Sequence, residues 1–524
     1  MNISEILRTH ARQFPDDVAI IDVHRGHSRE TTYGELELAV GRTAGLFRQS
    51  GLRAGDTVLL FHPMSAELYV ALAAILRMEL TAMFIDPSAG RRYIDRCCEL
   101  LPPQALVASS KAHLLRLLSP ALRRIPVKFS IGGRVPFARP LEQAAQFEYD
   151  DNIRLCDTAL PAIASFTSGS TGEPKAALRT HGFLLAQHRA IEQSLALTPG
   201  EVELVTLPIF VLANLASRVT SIIANADLRR PAAIFPRPVI AQIREHAATR
   251  AAASPAFFEC VVNYCERHSI CLSALQKIFT GGGPVSPRLL DRLQHVAPQA
   301  EITVVYGSTE AEPISTVRIR DMDGDDRSAM DGGHGLLVGR PVPSLNVRIM
   351  NDCRGRSVGP CTAREFDAIC RSRGEAGEIV VSGSHVLTGY LHGQGDDENK
   401  IRVDGTCWHR TGDAGYLDVR NRLWLMGRCA ARVDDSRGEL YPLGVEQAVL
   451  RHPCIGQAAL VAHRGQRVLA VALRDRSAQP DLASLLKALS FAHVDSIRIL
   501  KRLPVDRRHN SKIDYPALHQ MLEQ

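Results

Sequence analysis

Aromatic side chains make up only 5% of the 524 residues, two tryptophans among them. No long block of like charge accompanies them, and nucleic-acid binding, which draws on basic stripes and stacking rings, therefore has little support. The net charge of +6 reads as spread along the chain. Twelve cysteines include no CxxC pair. A secreted disulfide framework would be shorter and denser in cysteine, so these are expected to be reduced thiols, with Cys97 and Cys98 facing the core. The amino end lacks an uninterrupted apolar run: residues 1–14 alternate polar and apolar at helical spacing, which argues against a secretory signal and for a cytoplasmic protein. The most apolar stretch, 68–85, is broken by Arg77 and Glu79, both costly at a bilayer centre. A buried helix running into a strand is expected there, not a membrane span. No internal repeat is present.

What is there describes a large globular α/β protein. Apolar residues reach 45% and charged residues 23%, and the length exceeds the size at which a single core stops growing, so two or more cores are expected. A strand at 57–61 precedes a helical pattern at 66–78, and short strand patterns follow at 202–207, 232–235, 277–279 and 302–305, each beside a helix or a glycine turn. Parallel sheets covered on both faces suit that alternation. After about residue 335 strands alternate with turns, at 345–350, 377–382 and 423–427, which suggests an antiparallel or barrel-like part. From Gly438 a helix at 444–452, strands at 457–462 and 468–472 and a last helix near Tyr515 give a small α+β domain. The segment 318–333 is rich in aspartate and glycine, but Asp326 and Gly332 stand where a calcium loop needs glycine and glutamate, so a solvated loop is expected.

The densest chemical signal is Thr167, Ser168, Gly169, Ser170, Thr171, Gly172, Glu173, Pro174, Lys175, which follows the mostly apolar stretch 162–166. Inward-pointing amides, hydroxyls and a lysine in such a loop make a polyphosphate site. A flexible Ser/Gly linker would not need Pro174 and Lys175 behind it, and the Walker pattern fails because Ala176 stands where a hydroxyl is required. No zinc pattern accompanies the loop: His181 and His188 are seven residues apart, off the i, i+4 spacing of helical ligands.

Downstream come Thr280-Gly-Gly-Gly-Pro284, Tyr306-Gly-Ser-Thr-Glu310, Gly377-Glu-Ile379, Trp408-His-Arg-Thr-Gly-Asp413, Gly427-Arg428 and His509-Asn-Ser-Lys-Ile-Asp514. In this order, after that loop, the motifs resemble those of the adenylate-forming superfamily of acyl-CoA synthetases, peptide-synthetase adenylation domains and luciferases. The resemblance implies a large N-terminal domain, residues 1–428, of two parallel-rich α/β sheets plus a small distorted barrel, and a mobile α+β domain, residues 429–524. It also implies ATP and Mg2+. Gly281, Gly282 and Gly283 with Tyr306 would form an adenine slot, Gly307 and Ser308 would continue it, and Thr309 would bond the α-phosphate. Glu310 and Thr171 would hold the metal, Asp413 the ribose and Arg428 the nucleotide, while Lys175 and Lys512 would meet the phosphates, Lys512 arriving from the small domain. Read alone, the glycines could be a tight turn, Tyr306 a core ring, Glu310 a surface carboxylate, Asp413 a plain turn residue, Arg428 a solvent-facing strand end and Lys512 a surface lysine.

The implied reaction is attack of a carboxylate on the α-phosphorus of ATP with loss of pyrophosphate. It needs positioned cations but no general base, because a carboxylate is already ionised at neutral pH. The implied acceptor is then a thiol, of coenzyme A or an acyl carrier protein. Two features depart from thioester-forming relatives: Ala430 stands at the usual hinge, and Ser436-Arg437 at a usual Gly-Gly pair. The segments 427–453 and 505–512 instead resemble the olefin β-lactone synthetase branch, in which the hydroxyl of a β-hydroxy acyl-AMP closes onto its own carbonyl. A non-catalytic nucleotide-binding protein is the third reading; retention of Lys175, Glu310, Asp413 and Lys512 weighs against it. For the acid, Phe210, Val211 and Leu212 suggest an apolar chain and Asn214 a polar substituent, or else ordinary helix packing.

Overall fold

Ser65 accepts a hydrogen bond from the Leu68 amide at 3.4 Å and so opens the helix Ala66–Arg77, whose apolar residues are buried almost all round. Arg77, which broke the apolar run, is tolerated inside because its guanidinium pairs with Glu37 and bonds the Asp150 carbonyl at 3.2 Å. The helix leads directly into strand Thr81–Phe84. The structure, a computed structural model, describes residues 2–153, 156–168, 173–353, 356–475, 480–505 and 513–523. Among them no helix is long and apolar enough to cross a membrane.

Two units divide the chain. The first comprises residues 1–226, 238–252 and 389–396. Its seven-stranded sheet runs Arg139–Pro140, Val127–Ile131, Ala105–Ser109, Thr57–Phe61, Thr81–Phe84, Pro161–Ser168, Pro174–Thr180, all neighbours parallel except the last pair. Buried Leu59, Met83, Leu106, Ala164 and Phe166 pack with Ile94, Cys97 and Cys98 against one face. Burial pushes both thiols up to about 12, and none of the twelve cysteines, all among the described residues, is in a disulfide. A second set of strands, Val202–Val205, Thr220–Ile223 and Val18–His24, is parallel, with His27–Thr32 closing it as an antiparallel edge.

The second unit comprises residues 227–237, 253–388 and 397–524. Strand Lys277–Gly281 lies parallel to Glu301–Ser308. From there the pairing is antiparallel through Ala311–Arg318, Leu336–Pro341, Leu423–Arg428, Thr406–Leu417, Gly377–Gly383 and Leu345–Met350, around a core of Ile314, Val338, Ile349, Ile379 and Leu423. Beyond residue 440 the sheet of Ile455–His463, Gln466–Leu473 and Ser496–Leu500 alternates its faces. Ala458 and Leu460 pack with helices Pro442–Leu450 and Leu482–Ala488, whereas Ala459 and Val461 pack with helix Tyr515–Glu523.

Two local expectations fail. Residues 232–235 form no strand, because Pro231 opens a 3-10 turn, Pro231–Ala233, and Pro236 opens the helix Pro236–Glu245. Residues 318–333 are not a solvated loop: Asp323 and Asp326 cap each other's backbone at the start of helix Gly324–Asp331. Asp326 is buried there, where Arg422 donates to both its oxygens at 2.7 Å.

Candidate functional site

Strand Lys277–Gly281 brings Gly281 opposite Val305, and a Cβ at Gly281 would run into the Val305 carbonyl oxygen. Only glycine lets the two strands approach there. Gly282 and Gly283 continue as a bend. On the neighbouring strand the register shifts between Tyr306 and Ser308, which puts Gly307 at the irregularity, and Thr309 and Glu310 then turn the chain into Ala311–Arg318. The Leu387 amide donates to the Glu310 carbonyl at 2.8 Å and pins that turn.

Asp413 lies inside the strand Thr406–Leu417, not in a turn. The backbone kinks just before it at Gly412, whose φ of +69° favours glycine. Glu378 holds this stretch: one carboxylate oxygen accepts from Arg410 at 2.6 and 3.0 Å and the other from the Gly412 amide at 3.2 Å. Both charged side chains are almost fully buried. Asp413 therefore projects from a fixed strand, directly across from Arg428 in the register. Arg428 donates to one of its oxygens at 2.6 Å and the Tyr306 hydroxyl to the other at 2.9 Å. Burial and the adjacent carboxylate hold the Tyr306 phenol well above its ordinary range, so it stays a neutral donor. Its ring is only 8% exposed and packs with Ala311, Ile314 and Val338, leaving little open face for stacking.

A carboxylate offers about four lone-pair sites, so Asp413 keeps capacity for ligand hydroxyls. Among the described residues the Thr280 and Ser308 hydroxyls, on the two strands that carry the glycines and Tyr306, are buried without a hydrogen-bond partner. Buried hydroxyls of this kind mark a place that a polar group completes. A further pair was not foreseen from the sequence. Lys400 faces His409 across the strand pairing, with Nζ 3.2 Å from Nδ1, and burial together with the lysine charge pushes His409 down to about 3. The Glu310 charge acts on His409 in the opposite sense. The sequence signal for this pair is weak, since it depends on register. Asp352, Glu378 and Cys429 also converge, but Arg432 and Arg410 already pair with the two carboxylates, at 3.1 and 2.6 Å.

In the first unit Lys175 pairs with Thr167 across the antiparallel strands and is 8% exposed. Its ammonium stands 6.0 Å from the centre of the Tyr390 ring, and its aliphatic stem lies against Gly395. Ser168 ends its strand. Gly169, Ser170, Thr171, Gly172 and Lys512 lie outside the described residues. The segment expected to form the acid pocket is a helix, Pro208–Ser217, which puts Phe210, Val211 and Asn214 toward one side and Leu212 on the other. Leu212, with Ile209, Ala213 and Ala216, lines a cavity of about 80 Å³ walled by Leu7, Tyr69 and Leu184. Phe210 and Val211 are core residues that do not line it. Asn214 is fully buried: its amide nitrogen donates to Glu203 at 2.8 Å and to Ser221 at 3.2 Å, while among the described residues its Oδ1 has no hydrogen-bond partner.

Residues 7–391 match the family model described as AMP-binding enzyme. An olefin β-lactone synthetase of Xanthomonas campestris pv. campestris is 29% identical, over 98% of this chain and 96% of its own length. The 2-succinylbenzoate–CoA ligase of Bacillus velezensis is 25% identical, over 86% of this chain and 83% of its own. Among solved structures, the amide bond synthetase McbA from Marinactinospora thermotolerans has a TM-score of 0.80 at 20% identity, covering 99% of both chains.

Proposed function

This chain belongs to the AMP-binding enzyme family, and from that premise we propose that its residues use ATP to convert a carboxylic acid into its acyl adenylate, releasing pyrophosphate. The observation that carries the assignment of residues is the fixed arrangement of Tyr306, Asp413 and Arg428, with two unpartnered buried hydroxyls on the adjoining strands. Asp413 takes the ribose hydroxyls, the bend at Gly281, Gly282 and Gly283 admits the base, and Thr309 bonds the α-phosphate. Gly307 and Ser308 complete the wall. Lys175 and the loop 167–172 hold the leaving phosphates. Residues 1–428 form the binding part and residues 429–524 a mobile part that delivers Lys512. A half-buried carboxylate in a pinned turn suits a hard cation, so Glu310, with Thr171, would hold Mg2+, which neutralises phosphate charge when bound.

In the reaction a carboxylate oxygen of the acid forms a bond to the α-phosphorus while the bond to the bridging oxygen of the β-phosphate breaks. No proton moves, and the protein's contribution is orientation and positive charge. The sulfur of a thiol, of coenzyme A or a carrier protein, then bonds to the acyl carbon as the bond to the AMP oxygen breaks; AMP leaves and the thiol proton goes to solvent. Closure of a β-hydroxy acyl-AMP to a β-lactone is the second reading. It is favoured by similarity over nearly the whole length to an olefin β-lactone synthetase, and by the side chain where thioester-forming relatives have a Gly-Gly pair. Here Arg437 is tied to Asp435 at 2.7 Å and to Asp495 at 2.8 Å.

A pyrophosphate-release screen over fatty, aryl and β-hydroxy acids, run with and without coenzyme A and followed by product mass, tests both steps. Pyrophosphate release with some acid is expected. A thioester formed only with coenzyme A selects the thiol, loss of water from a β-hydroxy acid without thiol selects the lactone, and silence with every acid overturns the adenylation reading.

A further inference from the structure

The positive charge of this chain is concentrated, contrary to the even spread its overall composition suggests. Between Glu99 and Glu142 there is no acidic residue, while seven lysines and arginines fall in that interval. The whole chain carries +6, so everything outside the interval sums to one negative charge. The same interval holds four of the six large apolar side chains that are more than 60% exposed among the described residues: Leu114, Leu117, Leu118 and Phe137. Phe137 is 91% exposed.

The fold brings these residues together at the edge of the seven-stranded sheet. Leu115 and Leu122 turn inward onto the core, which leaves Leu114, Leu117 and Leu118 on the outside of the short helix Leu115–Leu118. Arg116 reaches across and donates to the Pro136 carbonyl at 3.1 Å, so the loop bearing Phe137 lies beside that helix. Phe137 has a φ of +60°, a conformation in which a bulky residue is strained, and the loop spends that strain holding the ring out in water. Among the described residues none of the seven cations forms an ion pair. The bonds they make go to neutral groups: Arg123 to the Leu117 carbonyl at 3.0 Å, Lys128 to that of Ile125, Arg139 to the Ser50 hydroxyl at 3.1 Å. Arg124 and Arg134 are exposed. Burial, then the Arg116 charge, push the Lys128 ammonium below its usual range, as crowded cations without a counter-charge should.

We propose that this face docks on an anionic lipid surface, with Leu114, Leu117, Leu118 and Phe137 entering the interface and the surrounding arginines and lysines meeting phosphate or carboxylate headgroups. Its chemistry is that of a peripheral anchor: protruding apolar side chains on short adjacent segments, ringed by charge of one sign. The inference is independent of which acid is activated and of the acceptor.

Sedimentation with vesicles tests it, using the full chain and two variants, Leu117→Ser/Leu118→Ser and Arg123→Glu/Arg124→Glu. Wild type should bind vesicles containing roughly one-third phosphatidylserine about tenfold or more tighter than pure phosphatidylcholine, and lose that binding as salt rises. Each variant should lose about tenfold or more on the anionic vesicles while its circular dichroism and melting stay those of wild type. Equal sedimentation with both vesicle types, or variants that bind as wild type does, would overturn the proposal. So would binding to soluble polyglutamate with none to vesicles, which would put an acidic protein in the lipid's place.

Discussion

Asp413 accepts from Tyr306 and Arg428 at once, and a nucleotide hydroxyl would be its third partner. Removing the carboxylate leaves the Tyr306 hydroxyl buried without an acceptor and takes charge-assisted bonds from the ligand. Asp413→Ala should therefore raise the KM for ATP by about 10- to 100-fold, the equivalent of about 1.5–3 kcal/mol, with a smaller change in kcat. Steady-state kinetics in ATP checks it; an unchanged KM would remove Asp413 from the nucleotide site. Away from this site, Glu446 is fully enclosed and accepts from the Tyr515 hydroxyl at 2.8 Å and the Leu460 amide at 3.0 Å, yet burial still pushes its carboxyl up to about 7. The folded protein therefore holds a proton there that the unfolded chain releases near its ordinary value of 4.5. Its contribution is full in acid and is lost as pH rises through about 7, at most about 3 kcal/mol. Melting compared at about pH 5 and about pH 8 should show wild type losing more stability on alkalinisation than Glu446→Gln. Equal losses would contradict it. Motif order singled out Asp413 and Tyr306, which the structure brings together at 2.9 Å, whereas Lys400 beside His409 was not legible, because nine residues of sequence separation say nothing until the strand register places them opposite each other.

At the scale of elements, the strand carrying Asp413 is held from the next strand by Glu378. Cutting that buried pair leaves Arg410 charged and unpaired, so Glu378→Ala should cost about 3–5 kcal/mol of stability and weaken ATP binding along with it. Denaturant unfolding beside an ATP titration checks both; a stable variant with normal ATP affinity would show that the strand needs no such anchor. The regular strands were readable because a strand is short, apolar and bounded by turns, and 57–61 and 345–350 were foreseen with the bounds observed. Helix Gly324–Asp331 was not, since aspartates and glycine read as loop; its stability comes from a capping box made of two aspartates and from Arg422, a residue almost a hundred positions away. Around Asn214 composition gave the apolar character of the helix, but that Leu212 lines the cavity while Asn214 turns toward Glu203 and Ser221 depends on how the helix is seated.

For the whole molecule, alternation of strands and helices followed by strands with turns pointed to the α/β architecture and the antiparallel part, because each pattern reports which faces must be covered. The basic apolar patch stayed hidden, since its signal is an absence of acids over a long interval and not a run of bases. The central claim concerns one oxygen atom. An acid labelled with 18O in its carboxylate, incubated with ATP and the enzyme through to its final acyl product, should deliver one labelled oxygen into AMP and none into pyrophosphate, because the carboxylate oxygen becomes bonded to the α-phosphorus. Label in inorganic phosphate with ADP as co-product, or AMP free of label, would contradict adenylation of the acid.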